Sequence, residues 1–258
     1  LGHDTIEDGV VKLLSDPFEG YHMGITAEKL AEEFEISRAA QDELSAESQR
    51  RALNAIEKGY FKDQIVPLTV RKGREEHIFD TDEFPQNSSV EKLSKLRPAF
   101  KEDGMVTPGN ASGINDGASA TVVMSATKAA ALGVKARLRL VARAEAGVDP
   151  SIMGSGPIPA VNKVLEKADM TLDQMDVIEL NEAFASVACA CANELSLDPE
   201  KTNPNGGAIA LGHPVGATGN ILTVKLMHEM ERTSARYGLV SMCIGGGQGI
   251  ATIFERLG

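Results

Sequence analysis

Residues 203–219 read NPNGGAIALGHPVGATG, and no other stretch restricts the chain as strongly. Five glycines surround one histidine, His213, which is followed at once by Pro214, and an apolar helical run begins near Ala217. Glycine lets the backbone come close to a ligand and take turns closed to other residues. A helix that starts just past such a turn aims free N–H groups back toward it, where negative charge is favoured. The pattern displays His213 instead of packing it. Two shorter signals accompany it, NEAFA at residues 181–185 and CIGGGQG at residues 243–249, each holding a side chain suited to chemistry, Asn181 and Cys243.

From Ser119 onward, short apolar runs alternate with helical periodicity. Strands are expected over residues 120–124, 137–146, 177–180, 208–210, 239–243 and 250–255, and helices over 126–132, 160–168, 182–195 and 217–231. From residue 137 this is a βαβαβαββ order, and in an open α/β sheet ligands collect beyond the carboxyl ends of the strands. All three signals fall there. Residues 1–112 lack that alternation and read as an elaborated loop region with two helices. One covers 26–35; the other covers 37–58, capped by Ser37 and ended by Gly59. Residues 64–70 and 76–79 read as strands around the basic turn Arg71-Lys72-Gly73-Arg74. That turn, with Lys92, Lys95 and Arg97, is either a solvated surface or a landing place for phosphates.

At 258 residues and 42% hydrophobic the chain can bury a large core. With no Trp and 25 Gly, that core must be built from aliphatic side chains and Met, which suits helices layered closely on a sheet. A formal charge of −11 argues against nucleic acid or an anionic membrane surface as the main partner. No apolar run is long enough for a membrane helix. Three cysteines, two of them two residues apart, make no disulfide framework and point to a reducing, cytoplasmic setting. The glycines at 245–249 lie between two strands, unlike a dinucleotide loop, and the short paired spacing of a structural zinc site is missing. The chain opens on Leu1 without a methionine.

Cys243, at a strand end before Gly245-Gly246-Gly247, reads either as a small buried hydrophobe or as a thiol poised as thiolate near neutral pH. Asn181, at a strand-to-helix turn, suits a helix cap as well as a site. Cys189 and Cys191 cannot share one helix face and read as inert packing.

With YHMGITAE at residues 21–28 and GNASGINDGA at 109–118, these motifs together resemble the thiolase family, whose members make and break carbon–carbon bonds between acyl groups carried on coenzyme A. The resemblance implies a thiolase-like layered αβαβα fold. The chain would supply the C-terminal βαβαβαββ half (137–258), a loop domain for CoA binding and oligomerisation (1–112) and only the tail of the N-terminal half-domain (113–136). On that reading the half-domain with the nucleophilic cysteine is lacking, and the chain alone is expected to be inactive.

By resemblance His213 activates the nucleophile and then hydrogen-bonds the thioester oxygen, Cys243 is the acid/base at the α-carbon, Gly245 gives an oxyanion-hole N–H, and Asn181 orients a water in that hole. His22, Met23, Ser112, Met153 and Phe184 resemble residues lining the acyl and pantetheine channel. Where relatives carry an arginine against the CoA adenine, this chain reads Asp82-Glu83-Phe84-Pro85-Gln86, and no such contact is assigned. The implied activity is acetyl-CoA C-acetyltransfer in fatty acid metabolism, with the coenzyme A thioester as substrate and no tightly bound cofactor or metal. Degradative 3-ketoacyl-CoA thiolysis and a non-catalytic CoA or acyl-lipid binding module are the alternatives. A homodimer or tetramer is implied as well, with residues 3–10 similar to a tetramerisation loop.

Overall fold

In chain order the elements are α1 (Gly9–Leu13), α2 (Met23–Glu33), α3 (Arg38–Glu57), β1 (Leu68–Lys72), β2 (Glu75–Phe79), α4 (Val90–Leu93), α5 (Ala126–Leu132), β3 (Leu138–Gly147), α6 (Pro157–Ala168), β4 (Val177–Leu180), α7 (Ala185–Leu195), α8 (Ala208–Leu211), α9 (Thr218–Thr233), β5 (Tyr237–Ile244) and β6 (Gln248–Arg256). The structure is a computed structural model that describes Gly2 and residues 5–258. The tetramerisation-loop expectation for residues 3–10 therefore falls partly outside the described residues.

One sheet organises the second half, in the order β3-β6-β5-β4, with β4 parallel to β5 and the other neighbours antiparallel. Side chains alternate across it, as the pleat requires. Ile178, Leu239 and Ile253 face one side, where they meet Val161, Val164 and Leu165 of α6. Val177 and Val240 face the other and meet Leu222, Leu226 and Met230 of α9. Such side chains each contribute about 1.5–3 kcal/mol when fully buried. The result is helix on sheet on helix, the α/β layering expected.

A third apolar cluster joins α2 and α7 to the carboxyl end of the sheet, through Met23, Leu30, Met153, Phe184, Val187 and Cys243. The loop region thus rests on the strand ends. Helix α3 begins where expected, with Ser37 Oγ accepting from Ala40 N at 3.2 Å. Helix α2 begins earlier than expected because the His22 ring caps it, Nδ1 accepting from Gly24 N at 3.0 Å.

Two expected strands do not form. Residues 120–124 have no strand partner among the described residues, and Val122 and Val123 stand 85% and 87% exposed. Strand character depends on a neighbour to pair with, not on β-branched residues alone. Residues 208–210 belong instead to α8. The outer edge of β4 is already occupied, with Ile178 N donating to Lys201 O at 2.8 Å and Asn203 N to Ile178 O at 2.8 Å, so the short apolar run has no edge to join. A run that short carries no period to separate strand from helix.

The β1–β2 hairpin stands exposed on both faces. Its register places Arg71 opposite Glu76 and Lys72 opposite Glu75, and Lys95 pairs with Glu91 at 2.6 Å. These carboxylates offset much of the positive charge read there as a phosphate landing place.

Candidate functional site

Asn181 is the first residue beyond β4, and its N–H continues the parallel ladder by donating to Ser241 O at 3.0 Å. Leu180 is paired with Ser241, so Cys243 lies just beyond the position opposite Asn181 on the next strand. The two residues occupy adjacent strand ends, where neighbouring backbones run about 4.8 Å apart.

His213 reaches the same place from the glycine-rich loop. Its Nε2 is 3.4 Å from Asn181 Nδ2, its Nδ1 is 2.7 Å from Thr218 Oγ1, and its backbone N–H donates to Gly113 O at 3.2 Å. Burial lowers its pKa from the ordinary histidine value, so the ring is neutral near pH 7. Asn181 is itself buried, and its Oδ1 has no hydrogen-bond partner among the described residues. A buried amide oxygen in that state is an acceptor waiting for a donor, since native buried polar atoms are overwhelmingly paired. The helix-cap alternative for Asn181 fails: α7 starts at Ala185 after Phe184, which gives no side-chain cap.

Polar contacts beneath the loop explain why it holds this shape. Glu182 is buried and accepts from Ser48 Oγ at 2.6 Å, Asn203 Nδ2 at 2.8 Å and Ile209 N at 3.3 Å. Ser48 Oγ also accepts from Gly207 N at 3.0 Å. Lys225 of α9 donates to Glu179 at 2.8 Å and to Gly206 O at 2.7 Å. At Gly206, φ is +77° and a Cβ would lie 2.6 Å from Ser48 O, so no other residue fits without moving α3. Burial raises the pKa of both Glu179 and Glu182.

Cys243 sits in a different medium. It is buried in the apolar cluster of Met23, Met153, Phe184 and Cys191. Burial pushes its thiol up to about 11. The expectation of a thiolate near neutral pH is therefore corrected: the resting group is a neutral thiol, because nearby glycine N–H groups do not offset the lost solvation. Gly245 lies exposed in the β5–β6 turn, and a Cβ there would come 2.9 Å from Met23 Cε.

The remaining expected residues also gather here. Met23, Met153 and Phe184 share the cluster with Cys243. His22 stacks on Phe100 at 4.7 Å between centroids, and Phe100 meets Phe184 edge-on at 6.3 Å. Burial lowers the His22 pKa. Ser112 is tied to the NEAFA turn, its N–H donating to Ala183 O at 3.0 Å. Cys189 and Cys191 are buried, with the Cys189 thiol pushed up to about 12 and that of Cys191 raised, in keeping with inert packing.

A hollow of about 750 Å³ is lined by His213 together with Leu14, Asn115, Ala118 and Asn220, among others. Sequence reasoning marked Glu182 as a support beside Asn181 but passed over Phe100, Thr218 and the Ser48 and Asn203 partners of that carboxylate. Thr218 carried a visible signal, lying five residues after His213 in the first turn of the next helix. Among the described residues no group of three or more His, Cys, Asp or Glu could hold a metal ion. No helix among them is long and apolar enough to cross a membrane.

Comparison with known proteins separates two domains. Residues 1–127 match the thiolase N-terminal domain and residues 134–256 match the thiolase C-terminal domain. The chain belongs to the thiolase family. It is 54% identical over 260 residues to the beta-ketothiolase BktB of Cupriavidus necator, covering 100% of this chain and 66% of that protein. Its fold is similar to the crystal structure of the Bacillus anthracis acetyl-CoA acetyltransferase, with TM-score 0.95 and 49% identity over 100% of this chain and 66% of the other. It is also similar to human mitochondrial 3-ketoacyl-CoA thiolase in complex with CoA, with TM-score 0.91 and 42% identity over 100% and 65% of the two chains. The chain thus spans about two thirds of the length of these thiolases.

The match over residues 1–127 corrects one expectation. The thiolase N-terminal domain is represented and not lacking. Inactivity of the chain by itself loses its support; its cysteines are nonetheless Cys189, Cys191 and Cys243, and residues 1–127 hold none.

Proposed function

We propose that this thiolase interconverts two acetyl-CoA molecules with acetoacetyl-CoA and CoA, the acyl group passing through the thioester of a cysteine other than Cys189, Cys191 and Cys243, and that His213, Asn181, Cys243 and Gly245 carry the proton transfers and the oxyanion contacts. The observation that carries this reading is the meeting of His213 Nε2 and Asn181 Nδ2 at 3.4 Å, beside an Asn181 Oδ1 that is buried without a partner among the described residues. A water donating one hydrogen to that oxygen has its other hydrogen free for a thioester oxygen. His213 takes the proton of the acyl-accepting thiol at Nε2 and, as N–H, becomes the second donor to the same oxygen. Such a donor typically contributes about 3 kcal/mol of transition-state stabilisation.

Cys243 works as an acid first. In thiolysis its S–H delivers a proton to the α-carbon of the departing acetyl-CoA carbanion; in condensation its thiolate removes that proton. A thiol titrating at about 11 favours the first step at rest and makes the second depend on the charge around a bound thioester. The Gly245 N–H, in an exposed turn, serves the second acyl oxygen. Met23, Met153 and Phe184 form the apolar wall of the pantetheine channel, with His22 and Ser112 as its polar contacts. CoA thioesters are substrates on this reading and no tightly bound cofactor is needed. The human relative solved with CoA supports that choice. The division into residues 1–112, 113–136 and 137–258 and a homo-oligomeric assembly belong to the same proposal.

The test is CoA-dependent consumption of acetoacetyl-CoA, measured together with exchange of the acetyl-CoA methyl protons in heavy water. Both should be present and both should collapse in His213→Ala. A folded protein that does neither and binds no CoA is not this enzyme.

A further inference from the structure

The His213 ring is held at both nitrogens, and the two partners make compatible demands. Thr218, first residue of α9 and buried, donates its hydroxyl hydrogen to Pro214 O at 3.0 Å. A hydroxyl has one hydrogen. With that hydrogen on Pro214, Oγ1 presents lone pairs to the imidazole, and the 2.7 Å contact with Nδ1 is a bond only if Nδ1 carries the ring proton. On the opposite edge Asn181 Nδ2, an amide donor, is 3.4 Å from Nε2, which must then supply a lone pair. Helical threonines often bond back to the carbonyl four residues earlier, and that bond alone would be structural. The added contact with Nδ1 ties it to the site.

We propose that Thr218 is a positioning residue that locks His213 as the Nδ1–H tautomer, leaving Nε2 unprotonated toward Asn181 and the substrate. This rests on the reading of His213 as the base of a thiolase site. In the other tautomer Nε2 already holds a proton, faces the Asn181 N–H donor to donor, and cannot take a proton from a thiol. Once Nε2 is protonated it no longer accepts from Asn181 Nδ2, and its N–H is free for the thioester oxygen while Nδ1–H stays on Thr218. A histidine that serves first as base and then as donor needs a fixed partner on its other nitrogen.

The test reads the tautomer directly, without substrate. The full chain is labelled with 15N in its histidines, and long-range proton–nitrogen spectra are recorded at about pH 8, above the ordinary histidine titration. The His213 signal is assigned from its loss in His213→Gln. Wild type and Thr218→Ser should show Nδ1 protonated and Nε2 bare, whereas Thr218→Val, nearly equal in shape, should show both tautomers. The thiolysis kcat of Thr218→Val should fall roughly 10-fold with KM within about twofold, and Thr218→Ser should recover most of it. An Nε2–H tautomer in the wild type overturns the proposal, as does an unaltered Nδ1–H tautomer in folded Thr218→Val. If the Thr218→Val variant does not fold, the wild-type and Thr218→Ser spectra still decide it. A correct tautomer in a protein without thiolysis defeats the enzyme reading and leaves this one standing; the wrong tautomer in an active protein does the reverse.

Discussion

The two glycine-rich turns at the end of the sheet deliver their reactive groups into opposite surroundings. The loop over residues 203–219 is held from below by charge and hydrogen bonds: Lys225 on Gly206 O, Glu182 on Ile209 N, Ser48 on Gly207 N. It presents a histidine bonded at both nitrogens. The β5–β6 turn presents Cys243 among methionines and Phe184, in the apolar cluster. Burial keeps both groups neutral, lowering the pKa of the histidine and pushing the thiol up to about 11. Position depends on polar bonds in one case and on packing in the other, and groups whose environments drive their pKa values apart are suited to opposite roles in proton transfer.

The largest effect should come from removing the polar support of the histidine loop. Lys225→Ala leaves the Glu179 carboxylate buried without its partner, and urea unfolding should show a loss of about 3–5 kcal/mol. Next is the chemistry itself. His213→Ala should lower the rate of acetoacetyl-CoA thiolysis about 100- to 1,000-fold with little change in the unfolding midpoint.

Third is a pH response that tells the two groups apart. The folded pKa of His213 lies below its unfolded value, so the unfolded chain binds more protons in mild acid and stability falls as pH drops below about 6.5. The folded pKa of Cys243 lies above its unfolded value, so the folded chain holds the proton longer and stability falls as pH rises from about 8.5 toward 11. The share of the alkaline loss that belongs to Cys243, about 2–3 kcal/mol when complete, should be missing in Cys243→Ala, which keeps the share of the raised Cys189 and Cys191 thiols, while the acid limb persists. The smallest effect should be the unfolding cost of Cys243→Ala at neutral pH, about 1 kcal/mol, because only one sulfur leaves an apolar cluster. That variant should nonetheless lose methyl-proton exchange with acetyl-CoA. A loss from Cys243→Ala as large as that from Lys225→Ala would erase the contrast between the two turns.

Much of the layered half was legible in the residues. Val177–Leu180 read as a strand from the alternation of apolar runs with helical periodicity, and it is one, buried along its whole length; the serine before α3 marked the start of that helix. The partners Asn181, His213 and Cys243 were legible as motifs. The state of the thiol was not, since the glycines beside Cys243 suggested stabilising N–H groups while the apolar surroundings come from α2, α7 and the Met153 turn. Residues 120–124 misled because the run was apolar and β-branched, yet Val122 and Val123 have nothing to pair with among the described residues.

By itself the sequence determined where the chain turns, which faces of its helices and strands are apolar, and which few side chains stand at strand ends, because glycine placement and periodicity are local properties of the backbone. Only the tertiary structure decided that the Thr218 hydroxyl meets Nδ1 of His213, that Glu182 clamps the histidine loop from beneath, and that Cys243 rests as a neutral thiol. Hydrogen bonding and desolvation depend on neighbours brought from distant parts of the chain, and no local pattern records them.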